Sequence, residues 1–176
     1  IYGISTFDTL TVIVYSEIGC AWIINKGEGE IVKLSAEGDE LMRMTGFTDL
    51  ADLDIDPENH RLWVCETDPP AVHAYDLQGN LQFTVNDLLL NPKRLRSRYR
   101  TGSVMVIDGD SSTIKELSFN GNFIYRQYNG FSRPNALDIN QSTGELWVCD
   151  EGVNRLYQIA TNDAEFISDV DSSEHV

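Results

Sequence analysis

Residues 62–66 read LWVCE and residues 146–150 read LWVCD. The nine residues before them, LDIDPENHR and LDINQSTGE, also match in outline. Midway between the two stands VMVID, residues 104–108, so Glu66, Asp108 and Asp150 follow one another at intervals of 42. One interval earlier, AWIIN at 21–25 places Trp22 41 residues before Trp63. The turns keep the same step. LQGNL at 77–81 answers FNGNF at 119–123, SAEGDEL at 35–41 sits about one period earlier, and TNDAEF at 161–166 one period later. A chain that repeats itself every forty residues or so cannot fold each unit alone. It must stack the units so that each buries the apolar face of its neighbour.

Within one period the apolar runs are short. LADLDI at 50–55, LWVCE, AVHAYDL and LQFTV are separated by DPENHR, TDPP and QGN. Asp-Pro, Pro-Pro and Gln-Gly-Asn are turn chemistry, and Val, Ile, Leu, Trp, Tyr and Phe fill the strands between them. No run keeps a helical apolar stripe beyond about two turns. The expected fold is all-β: a β-propeller with about four blades of four antiparallel strands, approximately 10–46, 50–88, 92–128 and 135–168, in one domain over 1–176. The opening residues IYGIST are a candidate extra strand. Four such blades make a compact ring, an arc of a larger ring, or an arc that copies close by self-association. An open arc leaves strand edges unpaired, which favours the larger ring.

The hydrophobic fraction is 41% and the charged fraction 23%, a globular balance. No apolar run approaches the ~20 residues of a membrane span. The chain opens at Ile1 rather than Met and has no leader-like stretch, as expected of a processed, trimmed or excerpted chain. A net charge of −15 repels phosphate, so nucleic acid is not the expected partner. Cys20, Cys65 and Cys149 are odd in number and two of them share one slot, which reads as small buried packing residues rather than a disulfide framework. Trp22, Trp63 and Trp147 share another slot and read as packing between blades. Asn140-Gln141-Ser142 fits the N-glycosylation acceptor pattern, and the compartment is read, without decisive residues, as extracytoplasmic or secreted.

Charged residues gather in two places. The loops after the second strands carry Glu28, Glu30, Glu66, Asp68, Asp108, Asp110, Asp150 and Glu151, an acidic rim. Each strand-ending carboxylate is either a cap on the following turn or part of a field that attracts a cation or basic partner. DGDSSTIKE at 108–116 carries a faint calcium pattern without the spacing of a calcium-binding hand. The second place is the first strands. In register, Asp52, Asp54 and Asp56 face Arg94, Arg96 and Arg98, and then Ala136, Asp138 and Asn140. Asp54, Arg96 and Asp138 are expected to form a charged layer between blades. That layer is a structural ion network or a carboxylate-recognising site built on arginine forks.

RPNALDINQSTGELWVCDEGVNRLYQI, residues 133–159, resembles an NHL repeat. Pro134, Asn135, Asp150, Asn154 and Arg155 fill its usual slots, and Ala136 stands where Gly is usual. YWTD and gluconolactonase-like propellers share the outline. The resemblance implies a propeller of six blades or so. For the gluconolactonase-like group it implies an axial metal held by Glu, Asn and Asp at the starts of first strands. Those positions are Leu10, Ala51, Lys93 and Asn135, of which Asn135 alone is a ligand type. For peptide-amidating lyases it implies axial His, Tyr and Arg, whereas His60, His73 and His175 fall in a turn, on a strand and near the C-terminus. The residues therefore argue for a non-catalytic binding or scaffold module for a protein, peptide or small ligand, with no cofactor. The alternatives are a propeller hydrolase or lyase with its site partly outside this chain, and a structural unit closed by oligomerisation. Candidate binding residues are Asp54, Arg94, Arg96, Arg98, Asn135, Asp138, Asp108, Asp110, Asp150 and Glu151.

Overall fold

The computed structural model describes residues 10–15 and 19–160, with side chains described from residue 19 onward. Among these residues fifteen strands form four antiparallel sheets. Blade one holds β1 (Leu10–Tyr15), β2 (Cys20–Asn25), β3 (Glu30–Leu34) and β4 (Glu40–Thr45). Blade two holds β5 (Leu50–Asp56), β6 (Arg61–Thr67), β7 (Pro70–Asp76) and β8 (Leu81–Val85). Blade three holds β9 (Pro92–Arg98), β10 (Ser103–Asp108), β11 (Thr113–Leu117) and β12 (Ile124–Tyr128). Blade four holds β13 (Pro134–Ile139), β14 (Leu146–Asp150) and β15 (Arg155–Ile159). Its expected last strand, 161–168, lies outside the described residues, as does IYGIST. Each sheet runs in chain order, and the only helical pieces among the described residues are single 3-10 turns at Lys26–Glu28 and Gly109–Ser111. The architecture is that of a β-propeller.

The first strands β1, β5, β9 and β13 lie against one another in sequence, so they line the axis. Three apolar clusters fill the spaces between blades. Trp22, Ile24 and Ile31 of blade one pack on Leu53, Ile55, Leu62 and Val64 of blade two. Trp63, Cys65, Val72 and Ala74 of blade two pack on Leu95, Val104, Val106 and Leu117 of blade three. Met105, Ile107 and Ile114 of blade three pack on Leu137, Ile139, Leu146 and Val148 of blade four. Every second residue of a strand therefore enters one inter-blade layer and the alternate residues enter the next.

The shared tryptophan slot holds for three blades and changes at the fourth. Trp22, Trp63 and Met105 are fully buried, but Trp147 is half-buried and Cys149 is exposed. Cys149 was expected inside with Cys65. It is outside because, among the described residues, no blade covers the face that β14 turns away from blade three. All three cysteines are free, and burial pushes the Cys65 thiol pKa up.

Candidate functional site

The 42-residue spacing of Glu66, Asp108 and Asp150 has one mechanical origin. Each carboxylate ends the second strand of its blade and accepts hydrogen bonds from backbone N–H groups 17 and 18 residues earlier, in the loop that leads into the first strand. Glu66 Oε1 accepts from Thr48 and Asp49, at 2.6 and 3.4 Å. Asp108 Oδ1 accepts from Leu90 and Asn91, at 3.1 and 2.7 Å. Asp150 accepts from Ser132 at 2.7 Å and Arg133 at 2.8 Å. A backbone bond repeats beside each: Thr67 N–H to Asp49 C=O, Gly109 to Asn91 and Glu151 to Arg133. Asn25 holds the equivalent position in blade one, and the amides it would address, at 7 and 8, lie outside the described residues.

The rim acids were expected to cap the turn that follows them, or to form a field that attracts a cation or basic partner. Glu66, Asp108 and Asp150 are buried and hold the loop that precedes their own blade; only Asp150 also takes the following turn, through Gly152 N–H at 3.1 Å. The second oxygen of Asp108 is 2.6 Å from Lys115 Nζ, itself buried and bonded to Leu88 C=O at 2.9 Å. Burial works against the Asp108 carboxylate, but Lys115 and the amides outweigh it and hold its pKa below the usual range. At the matching place in blade two, Glu66 Oε2 meets His73 Nε2 at 2.9 Å, and His73 Nδ1 meets Thr84 Oγ1 at 2.9 Å. His60 occupies an exposed turn at φ 52, and His175 lies outside the described residues.

Of the other rim acids, Asp110 and Glu151 are exposed, Glu30 is half-buried, and all three are tied by short polar contacts. Asp110 accepts from Asn91 Nδ2 at 2.7 Å. Glu151 accepts from Asn135 Nδ2 at 2.8 Å and pairs with Arg133 Nε at 2.6 Å. Glu30 pairs with Arg43. Lys93 lies directly over Gly109, where an added Cβ would strike its side-chain carbons. Among the described residues no group of three His, Cys, Asp or Glu side chains is placed to hold a metal ion.

The basic first strand β9 divides its arginines among three environments. Arg94 is exposed and donates to Lys93 C=O at 2.9 Å. Arg96 Nη1 pairs with Asp52 Oδ2 at 2.9 Å. Arg98 pairs with Glu116 Oε1 at 3.2 Å and donates to Gly144 C=O in blade four at 3.1 Å. Asp54 or Asp138 was expected within ion-pair distance of Arg96. Both act on it through space, but the contact belongs to Asp52. The reason is the edge of β9. That strand is the last of its sheet, and its outward amides need acceptors. Asp52 Oδ2 takes Leu95 N–H at 3.2 Å, and Asp54 Oδ2 takes Ser97 N–H at 2.7 Å and Ser97 Oγ at 2.6 Å. From the other side, Gln141 Oε1 takes Tyr99 N–H at 3.1 Å and its Nε2 donates to Ser97 C=O at 2.8 Å. Side chains of both neighbours thus complete the β9 ladder. Asp54 does so at a cost: burial pushes its pKa up to about 6, against the pull of the Ser97 bonds and of Arg96.

Asp138 is exposed and accepts from the adjacent Ile139 N–H at 2.9 Å. Asn140 is exposed in the turn after β13, with its Oδ1 accepting from Ser142 Oγ at 2.7 Å. The sequence pattern brought Asp52 and Asp54 to β9 but gave no sign of Gln141 or Lys115, whose roles depend on a partner some 44 residues away and on burial respectively.

No family model and no curated protein matches the sequence. Solved structures match over most of it. A protein of unknown function from Bacteroides caccae superposes with a TM-score of 0.71 at 11% identity, over 94% of this chain and 62% of that one. A functionally unknown protein from Desulfotomaculum acetoxidans gives 0.77 at 14%, over 94% and 56%. The WD40 β-propeller domain of Doa1 gives 0.74 at 11%, over 90% and 52%. The shared feature is the β-propeller fold, and this chain spans 52–62% of the length of those chains.

Proposed function

We propose that the chain is an NHL-type β-propeller module that binds a peptide or protein carrying a carboxylate, at the mouth where the second-to-third strand loops emerge. The NHL slots support the repeat assignment in physical terms. Pro134 and Arg155 both pair with Asp150 across the sheet, Asp150 holds the entry loop, and Asn154 takes the left-handed turn at φ 54. Four slots of the motif thus serve one corner of the blade.

The observation that carries the binding reading is the unequal use of charge along β9 and on the rim beside its start. Asp108, Asp150 and Glu66 are consumed by backbone amides, and Arg96 and Arg98 by carboxylates. Lys93 and Arg94, adjacent and exposed at the start of β9, have no carboxylate within ion-pair distance among the described residues. A planar guanidinium beside an ammonium suits a carboxylate ligand, and the acidic surroundings of Asp110, Asp138 and Glu151 would reject a ligand of wholly negative charge. Arg94, Asn135, Asp110, Asp138 and Glu151 are the residues assigned to this face.

The test is calorimetric titration with short peptides, acidic at one end, against the same peptides amidated. Arg94→Glu is expected to abolish binding of the free-acid peptides while leaving the unfolding midpoint within a degree or so of the parent. Binding that ignores both the amidation and the substitution would sink the assignment.

A further inference from the structure

We propose that Asn129 is a self-modifying site, where the backbone nitrogen of Gly130 displaces the Asn129 side-chain nitrogen and water then leaves an aspartyl or isoaspartyl residue in its place. The chain holds two Asn-Gly pairs, Asn120-Gly121 and Asn129-Gly130, each preceded by an aromatic residue, Phe119 or Tyr128. Their local sequence chemistry is therefore matched. The reaction needs an amide carbonyl, a following backbone nitrogen free to reach it, and room to close a five-membered ring. Glycine hinders that nitrogen least, because it has no Cβ.

The fold gives the two pairs opposite surroundings. Asn120-Gly121 turns from β11 into β12 and packs on blade two: a Cβ on Gly121 would lie 2.5 Å from Phe83 Cε2 and 2.6 Å from Val85 Cγ2. Gly121 N–H donates to Ser118 C=O at 2.9 Å. Asn120 Oδ1 accepts from Ser118 Oγ at 2.9 Å and from Asn122 N–H at 3.3 Å. The nitrogen is spent and the side chain is pinned to its turn. Asp108-Gly109, the acid counterpart, is closed in the same way, with Asp108 buried and Gly109 N–H donating to Asn91 C=O at 2.8 Å. Asn129 and Gly130 are exposed in the loop from β12 to β13. A Cβ on Gly130 would meet nothing within 4 Å, and Gly130 N–H makes no hydrogen bond among the described residues. Gln127 Nε2 donates to Asn129 Oδ1 at 2.8 Å. That donor polarises the amide carbonyl and meets the oxyanion that forms when Cγ is attacked.

The Gly130 nitrogen bonds to Asn129 Cγ and gives its proton to water. The tetrahedral carbon expels Nδ2, which takes up a proton and leaves as ammonia. One water opens the resulting succinimide. Cleavage at Cγ restores the ordinary backbone with an aspartyl side chain, and cleavage at the backbone carbonyl leaves an isoaspartyl link. No oxidant or reductant is needed. Either product adds a negative charge, and the isoaspartyl link reroutes the backbone three residues before Ser132, whose amide Asp150 holds.

The experiment ages the folded chain at neutral pH and maps each asparagine by peptide mass spectrometry, with enzymatic isoaspartyl methylation as a second readout. Acid at position 129 is expected to accumulate about tenfold faster than at 120. In urea the two rates are expected to converge, because only local sequence then acts. Gln127→Ala, an exposed change on β12, is expected to slow position 129 about threefold in the folded chain and to have no effect in urea. A rate at 129 no higher than at 120 in the folded chain overturns the proposal. So does a gap that persists in urea, or one that Gln127→Ala leaves unaltered.

Discussion

LWVCE and LWVCD are nearly one sequence in two situations. Around Trp63 the pentapeptide is sealed: Trp63 and Cys65 are 0% exposed, Phe83 stacks edge-on at 5.7 Å, and Arg61 lies over Trp63, Phe83 and Phe119 at 5.1, 5.2 and 4.0 Å. Around Trp147 the same strand has an open side, and Glu145 stands where Arg61 stands. The difference teaches that the repeat encodes a two-sided blade, whereas burial is a property of the pair of blades. A residue conspicuous for recurring in the sequence is sealed in one copy and half-open in the other.

The largest effect should separate the two copies. Trp63→Ala is expected to lower unfolding stability by about 3–5 kcal/mol, since it empties a fully packed layer. Trp147→Ala should cost roughly 1 kcal/mol or less, because most of its cavity opens to water. Urea titrations of both variants check this, and equal losses would break the comparison.

A second contrast tests the carboxylate that repeats every 42 residues. Asp108→Ala leaves Lys115 buried without its counter-charge and two amides without an acceptor, and is expected to cost about 3–5 kcal/mol. Asp150→Ala loses the amide bonds without stranding a buried cation and should cost roughly 1–2 kcal/mol. Adding Lys115→Met to Asp108→Ala should recover part of the larger loss, which a double-mutant cycle would measure.

The two aspartates also have opposite pH signatures. Asp54 has its folded pKa raised to about 6. Its folded form is therefore best when protonated, and it withdraws stability as pH rises from its unfolded value, about 3.9, through 6, by roughly 3 kcal/mol at most. Asp108 has its folded pKa lowered, so its contribution is present above the unfolded value and is lost as pH falls below it. Asp54→Asn keeps an acceptor for Ser97 and should flatten the first trend. A pH 4–7 series of thermal unfolding that shows the same slope for Asp54→Asn as for the parent would remove this account of Asp54.

The last contrast sharpens the inner layer. Arg96→Met should cost roughly 1–3 kcal/mol by leaving Asp52, 2% exposed, without its cation. Combining it with Asp52→Leu should return much of that loss, less one acceptor for the Leu95 amide. The same pair of changes should leave peptide binding through Arg94 untouched.

The sequence by itself determined the all-β class and the repetition of four antiparallel sheets. Alternation of apolar side chains, turn residues and a 42-residue step are local signals, and each strand writes its own. It also determined which residues occupy equivalent slots. What each slot does was decided by tertiary structure. Arg96 was legible as a cation needing a buried carboxylate, but its choice of Asp52 over Asp54 depends on which β9 amides lack acceptors, and that is a property of the assembled edge. Asp108 was legible as a strand end, yet its loop lies 17 and 18 residues back and its cation on the next strand. Burial of Trp63 and exposure of Cys149 follow from whether a neighbouring blade covers them among the described residues, which no residue in the pentapeptide records. Hydrogen-bond accounting and desolvation are sums over everything near an atom, and only the folded chain brings those neighbours together.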